Sequence, residues 1–399
     1  MHNLTVLFTW EIGQGFGHVM PLLPIARQFK AQGHRVVFAV RDARGAGALL
    51  KSEGFIVLQA PAHPDQFFPA QGPQPQTMAD ILKVFGFTSR QSLLGLMAAW
   101  QGLFDLCKPD VVIASYAPLS LLCARQAAIP TILMALPFEL PASVHPSPPM
   151  RTGATMPDGQ VDEKIIQTVN AAFSENLVES VHGIFRATRV FLMSFPELDA
   201  FGPRENAEYC GNLFVTDVGR SPVWPGASGS HRVFAYLNAS LPNLAELRKK
   251  IHASPHAYCI FLRGADEAML RDWQSPNVVV EGEAVCLAQA FRDCHAVLSY
   301  GGAGFISASL LAGKPLVFYV RHLEAYLSAK QVAKLGAGIL PTPQSPSALI
   351  ASLDQMLSNK SFTEAAQSFA RKYREHSVQE AATRVVAAAL QICKVPAPD

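Results

Sequence analysis

The chain lacks any run of about 18 consecutive apolar residues, the length a membrane-spanning helix needs, although hydrophobic residues fill 49% of its 399 positions. Its first residues, MHNLTVLFTWEIGQGFGH, lack a basic n-region and carry only a short apolar run, so no secretory leader is expected. Neither sign of charge is in excess: 33 Lys and Arg stand against 31 Asp and Glu. A near-neutral surface has no general field with which to attract nucleic acid or anionic lipid, so any anionic ligand has to be captured locally. No CxxC pair occurs among the seven cysteines, which excludes the usual zinc-ribbon and dithiol patterns and leaves reduced, buried thiols as the expectation. These absences point to a cytoplasmic protein without a metal, a nucleic-acid partner or a transmembrane segment. Peripheral membrane contact and oligomeric state stay open.

What is present is buried sheet. At 399 residues the chain exceeds the roughly 250–300 residues at which single cores stop growing. LTVLFTW, RVVFAV and FIVLQA are near-continuous apolar runs, suited to parallel strands covered on both faces. PLLPIARQFKAQG between the first two has helical spacing and stops at Gly33. KPDVVIAS, LLCARQAAI and TILMAL continue the strand and helix alternation, which builds a doubly wound α/β sheet. A Pro-, Ser- and Met-rich stretch from Pro137 to Pro157 predicts a mobile loop. With phenylalanines 67, 68, 85 and 87 it is a candidate lining for an apolar acceptor pocket. TDVGRSPVWPGASGSH then separates two patterned regions. The expected organisation is a Rossmann-like domain over 1–217, a linker over 218–230, and a second Rossmann-like domain over 231–399 that ends in a long helix.

Two glycine loops carry the chemistry. GQGFGH places Gly13, Gly15 and Gly17 between a strand and a helix, where open α/β sheets bind ligands. The spacing is not the GxGxxG of a dinucleotide site, which disfavours a nicotinamide enzyme even with Asp42 after the second strand. His18 closes this loop. Beside a helix N-terminus its imidazole is expected to stay neutral and able to accept a proton; the alternative is a histidine that only caps or packs at the turn. In SYGGAGF a second strand-turn-helix places the amides of Gly302, Ala303 and Gly304 where they bind an anion, aided by the helix dipole. A tight turn serving only packing is the competing reading.

With both loops on the page, the sequence resembles the GT-B glycosyltransferases, in particular bacterial members of the UDP-glycosyltransferase family and, more remotely, the lipid-linked N-acetylglucosaminyltransferase of cell-wall synthesis. The resemblance rests on GQGFGHVMPLLPIARQFKAQGHRVVFAVRD, on YCGNL before the linker, and on SYGGAGFISASLLAGKPLVFYVRHLEAYLSAKQVAKLGAG. It implies two Rossmann-like doubly wound domains facing across a cleft. It also implies inverting, metal-independent transfer of a sugar from a UDP or dTDP sugar to a hydroxyl on a small-molecule or lipid acceptor, with no cofactor beyond the nucleotide sugar. His18 then is the base, with Gly13, Gly15, Gly17 and Ser115 on the acceptor side. Tyr300, Gly301, Gly302, Ala303, Gly304, Phe305, Val285 and Glu324 fall on the donor side, with Arg321 and His322 nearby as sources of positive charge. Three positions depart from the family pattern: Tyr300 replaces a histidine, Phe305 a small hydroxyl residue and Ala325 a glutamine. The carboxylate that orients the base falls near Ser115 or Tyr116, neither of which is acidic. Two other readings share the architecture: a catalytically degenerate GT-B protein that binds a nucleotide, sugar or partner enzyme without turnover, and a sugar-nucleotide epimerase.

Overall fold

The computed structural model describes residues 3–13, 15–62, 75–151, 154–205, 207–226, 231–320 and 322–393. The chain forms two compact units: unit 1 holds residues 1–193, 204–213 and 378–399, and unit 2 holds 194–203 and 214–377.

Unit 1 is built on seven strands, β1 (Thr5–Trp10), β2 (Arg35–Val40), β3 (Ile56–Gln59), β4 (Val111–Ser115), β5 (Thr131–Ala135), β6 (Arg189–Leu192) and β7 (Glu208–Tyr209). Their spatial order is β3-β2-β1-β4-β5-β6-β7, and every pairing is parallel. Unit 2 repeats the plan with β8 (Arg232–Asn238), β9 (Ala257–Arg263), β10 (Val278–Glu281), β11 (Ala296–Ser299), β12 (Leu316–Phe318) and β13 (Gly338–Ile339), ordered β10-β9-β8-β11-β12-β13. Those pairings are parallel as well. Apolar runs rather than alternation encode these strands because helices cover both faces: β4 and β5 are buried at all five positions each. In unit 1, Phe8 stacks on Phe38 across β1 and β2, with ring centroids 4.8 Å apart.

The expected domain limits shift in two places. The last helix, Val378–Ile392, belongs to unit 1. Ala381, Ala382, Val385, Val386, Ala388 and Ala389 enter the same core as Phe8, Phe29 and Phe38, and the Gln28 side-chain amide donates to the Gln379 carbonyl. An apolar stripe of period 3.6 announces a buried face without saying which sheet buries it. The expected linker also starts inside unit 2. Arg220 N donates to Ala284 O at 2.9 Å and Cys286 N donates to Arg220 O at 2.7 Å, which lays residues around Arg220 alongside Val285. Residues 227–230 lie outside the described set.

Among the described residues no helix is long and apolar enough to cross a membrane. All seven cysteines are free thiols and six are buried; burial pushes Cys210, Cys259 and Cys294 each up to about 12, so they sit as protonated packing residues.

Candidate active site

In each sheet the winding reverses beside the first strand, between β1 and β4 in unit 1 and between β8 and β11 in unit 2. Connections leave to opposite faces at such a point, so the loops at the carboxyl strand ends part and admit ligands. The loop after β1 carries Gly13, Gly15, Gly17 and His18, and the turn after β11 is Gly301–Gly304. Both glycine motifs therefore stand at the switch point of their own sheet.

In unit 1, Ile12 N donates to Tyr116 O at 3.0 Å and ties the β1 loop to the β4 loop. Gly15–His18 forms one 3-10 turn. His18 is its last residue, two before the helical segment that runs through Met20–Leu22 into the helix Leu23–Ala31. A carboxylate faces the ring: His18 Nδ1 lies 3.2 Å from Glu139 Oε1, without the alignment of a hydrogen bond. The other oxygen of Glu139 accepts from Leu136 N at 2.8 Å, and Glu139 is only 1% exposed. Trp10 stacks on the imidazole with centroids 5.5 Å apart and Tyr116 flanks it at 5.9 Å. His18 is 8% exposed.

The contact with Glu139 favours the tautomer with its proton on Nδ1 and the lone pair on Nε2, although the two atoms lack hydrogen-bond alignment. Gly13, with φ of 96°, is the residue facing that nitrogen: a Cβ there would stand 2.1 Å from Nε2. The absent side chain is what gives the imidazole room to lie against Gly13. Gly17 is exposed with open space around it.

Other acceptor-side expectations are corrected. Ser115, the last residue of β4, is fully buried and presents nothing to a ligand. Phe85 and Phe87 are buried at 5% and 2% exposure, and the Arg41 guanidinium lies over the Phe85 ring. Phe67 and Phe68 lie outside the described residues. The Pro137–Pro157 stretch, expected to be mobile, is pinned where it is described: the Arg204 guanidinium donates to the carbonyls of Pro137, Leu140 and Pro141, and Ser147 N donates to buried Asp162 at 2.7 Å. Proline removes donors from such a loop but leaves carbonyls, which one guanidinium satisfies.

Glu11, unnoticed in the sequence, directly follows β1, just before the glycine loop, and is buried. Its carboxyl oxygens accept from Leu119 N at 2.9 Å and Ser120 N at 2.6 Å, at the start of the helix Pro118–Gln126. Burial outweighs these two amides and pushes its pKa from 4.5 up to about 8. Because the folded value exceeds the unfolded one, this group's stabilising contribution is full below about 4.5 and is lost as pH rises through about 8. Thermal melts of Glu11→Gln are expected to lose the part of the Tm decline between pH 5 and 8 that this proton causes (roughly, by linkage). An unchanged Tm–pH slope contradicts the assignment.

In unit 2, Gly302 precedes the helix Ala303–Leu311 with φ of 111° and ψ of 110°, a conformation open to glycine, and a Cβ there would meet nothing within 4 Å. The first amides of a helix have no intrahelical acceptor, so Gly302, Ala303 and Gly304 direct N–H groups outward. Gly301 N donates to Ser299 Oγ at 3.0 Å. A Cβ on Gly301 would strike Ala325 Cβ at 2.3 Å. The turn and the helix Leu323–Lys334 thus close on each other through residues with almost no side chain, which accounts for alanine where the family has glutamine.

Phe305, expected on the donor side, is 3% exposed and packs among Phe234, Tyr236 and Phe291 as part of the core. Val285 is likewise core, 3% exposed and bridged to Arg220. Tyr300 is half-buried, with its ring edge-on to Tyr236 at 4.9 Å. Glu324 sits in the first turn of its helix, half-buried, after His322 at the N-cap. Arg321 lies outside the described residues.

Residues 266–389 match the family model described as erythromycin biosynthesis protein CIII-like, C-terminal domain. No curated protein matches the chain. Solved structures similar to it include the calicheamicin glycosyltransferase CalG4, 19% identical with a TM-score of 0.73 and 100% of both chains covered. The glycosyltransferase SnogD from Streptomyces nogalater is 18% identical, with a TM-score of 0.63, 97% of this chain and 100% of that one covered. The glycosyltransferase VinC, solved in complex with DTDP, is 16% identical, with a TM-score of 0.69 and coverage of 98% and 100%. Two parallel Rossmann-like sheets, glycine loops at both switch points and these likenesses converge: the chain has the GT-B fold seen in the solved glycosyltransferases, and its residues 266–389 match the erythromycin CIII-like C-terminal family model.

Proposed function

We propose that the protein transfers a sugar, with inversion and without a metal, from a UDP or dTDP sugar to a hydroxyl acceptor. The observation that carries this reading is the His18–Glu139 pair, 3.2 Å apart, with the imidazole seated against Gly13, where a side chain would displace it. A histidine that merely packed at the turn would need neither a buried carboxylate nor a glycine of positive φ against its second nitrogen. In this mechanism Nε2 takes the proton of the acceptor hydroxyl while its oxygen attacks the anomeric carbon, and the bond to the diphosphate breaks on the opposite face. Glu139, facing Nδ1, stabilises the imidazolium that forms. The charge that develops on the departing diphosphate is met by the amides of Gly302, Ala303 and Gly304, which are oriented before reaction. VinC's complex with DTDP supports a thymidine nucleotide as one donor type to test.

Glu139 is a positioning residue in this scheme. Glu139→Gln keeps the shape and removes the charge; kcat is expected to fall roughly 10²- to 10⁴-fold, with the donor KM held within about twofold because the nucleotide contacts are untouched. A panel of UDP and dTDP sugars with model phenol and alcohol acceptors, read by mass spectrometry, tests the activity itself. Nucleotide binding without transfer across the panel favours the non-catalytic reading, and acceptor-independent conversion of the donor sugar favours an epimerase.

A further inference from the structure

Glu139 faces Nδ1 of His18 without hydrogen-bond alignment, so the carboxylate alone does not fix the plane of the imidazole. Two aromatic rings contribute what it lacks. Trp10 is the last residue of β1 and pairs in register with Ser115 of β4; Tyr116 is the next residue of the chain. The rings that flank His18 thus leave neighbouring strand ends at the switch point of the unit 1 sheet. The indole stacks on the imidazole with 21° between planes, and the phenol ring is tilted by 35°.

Both aromatic residues are held through the backbone of Ile12. Trp10 Nε1 donates to Ile12 O at 2.6 Å, and Ile12 N donates to Tyr116 O at 3.0 Å. Tyr116 takes φ of 44°, left-handed backbone that a bulky residue keeps only where its surroundings over-determine it. Its hydroxyl donates to Met78 Sδ at 3.6 Å, at the start of the helix Met78–Val84. Trp10 and Tyr116 are 2% and 4% exposed, so water does little to screen them. The face of an aromatic ring within about 6 Å attracts a cation, Trp most strongly, and it gives a neutral ring no such attraction.

We propose that Trp10 and Tyr116 clamp His18: Tyr116 limits the tilt of the ring, and the indole face of Trp10 stabilises the imidazolium once Nε2 has taken the acceptor proton. This deepens the glycosyl-transfer reading and rests on it for the source of that proton. Both are positioning residues. The charged groups around the ring include Glu139 facing Nδ1, Glu11, whose carboxyl accepts from Leu119 N and Ser120 N, and Arg41, which donates to Glu11 O. Asp42, Arg44 and Lys51, at the helix Ala43–Ser52 packed on the turn, are exposed. All of these stay in place when Trp10 is replaced, so a changed His18 titration reports the indole.

The test is an NMR titration of the full chain labelled with 13C-histidine, the His18 signal being the one lost in His18→Gln. Trp10→Leu is expected to lower the midpoint of that signal by roughly 0.5–1 pH unit. Trp10→Phe, similar in size to leucine but with an aromatic face, should keep most of the native value. Tyr116→Leu should move it less than Trp10→Leu does, because the phenol ring is farther away and more tilted; with Trp10→Phe it keeps the test usable if Trp10→Leu does not fold. The acid limb of kcat/KM should move down in pH with the midpoint. Leu and Phe variants that share the native midpoint, or a midpoint that rises in both, overturn the clamp even where Tm has fallen. The titration needs neither donor nor acceptor, so a native protein that transfers no sugar sinks the glycosyl-transfer reading and leaves the clamp to be judged on the midpoints alone.

Discussion

His18→Ala is expected to lower kcat for transfer to a hydroxyl acceptor by roughly 10²- to 10⁴-fold, the range a positioned general base contributes. The loss should fall on kcat rather than on donor affinity, because His18 belongs to unit 1 and the outward amides of Gly302, Ala303 and Gly304 to unit 2. Deleting the ring also removes a stacking partner of Trp10 and leaves Glu139 buried without the imidazole it faces. A stability loss of about 1–3 kcal/mol should therefore accompany the kinetic effect. His18→Gln separates the two: it fills part of the space without offering a base, so Tm should recover more than kcat does. Steady-state rates and thermal melts on the same preparations check both halves.

Gly13→Ala is expected to abolish transfer to a similar extent while leaving His18 in the chain. The new methyl would stand 2.1 Å from Nε2 of His18, and the residue would have to keep φ at 96°. Either the loop distorts or the imidazole swings off Glu139, and both outcomes remove an aligned base. Backbone strain of this kind costs on the order of 1–3 kcal/mol, so part of the effect should appear as a lower Tm. Gly17→Ala is the control. That position is exposed, with open space where the methyl would go, so transfer should stay close to native. Equal losses at 13 and 17 would mean that the loop needs general glycine flexibility rather than clearance at one nitrogen.

The alternation of strand and helix was legible because parallel strands buried on both faces have nothing polar to interrupt them, as in RVVFAV and TILMAL. The two glycine loops were legible for a related reason: a sharp strand-to-helix turn needs residues without side chains, and the sequence records this as GQGFGH and YGGAG. Long-range partnerships were not legible. Glu139 lies 121 residues beyond His18 by their numbering and approaches it only because β5 ends beside β4. Its one local signal is that it is the only carboxylate between Pro137 and Pro157, directly after a strand in an apolar stretch.

The same limit explains the misplaced residues. Phe305 directly follows the glycine turn and Val285 precedes the helix Leu287–Asp293, but the side chains of both turn into the core. The closing helix Val378–Ile392 shows that chain order does not fix domain membership: its apolar stripe fits unit 1, the unit that contains the chain's first residues.

The central claim is that Nε2 of His18 takes a proton from the acceptor. The most direct measurement compares native protein and His18→Ala on a model phenol and on its thiophenol analogue, with the same nucleotide sugar. A thiophenol is already ionised at neutral pH and needs no base. The account expects a native-to-variant rate ratio of roughly 10² or more on the phenol and a ratio near one on the thiophenol. Equal ratios on the two acceptors would contradict it.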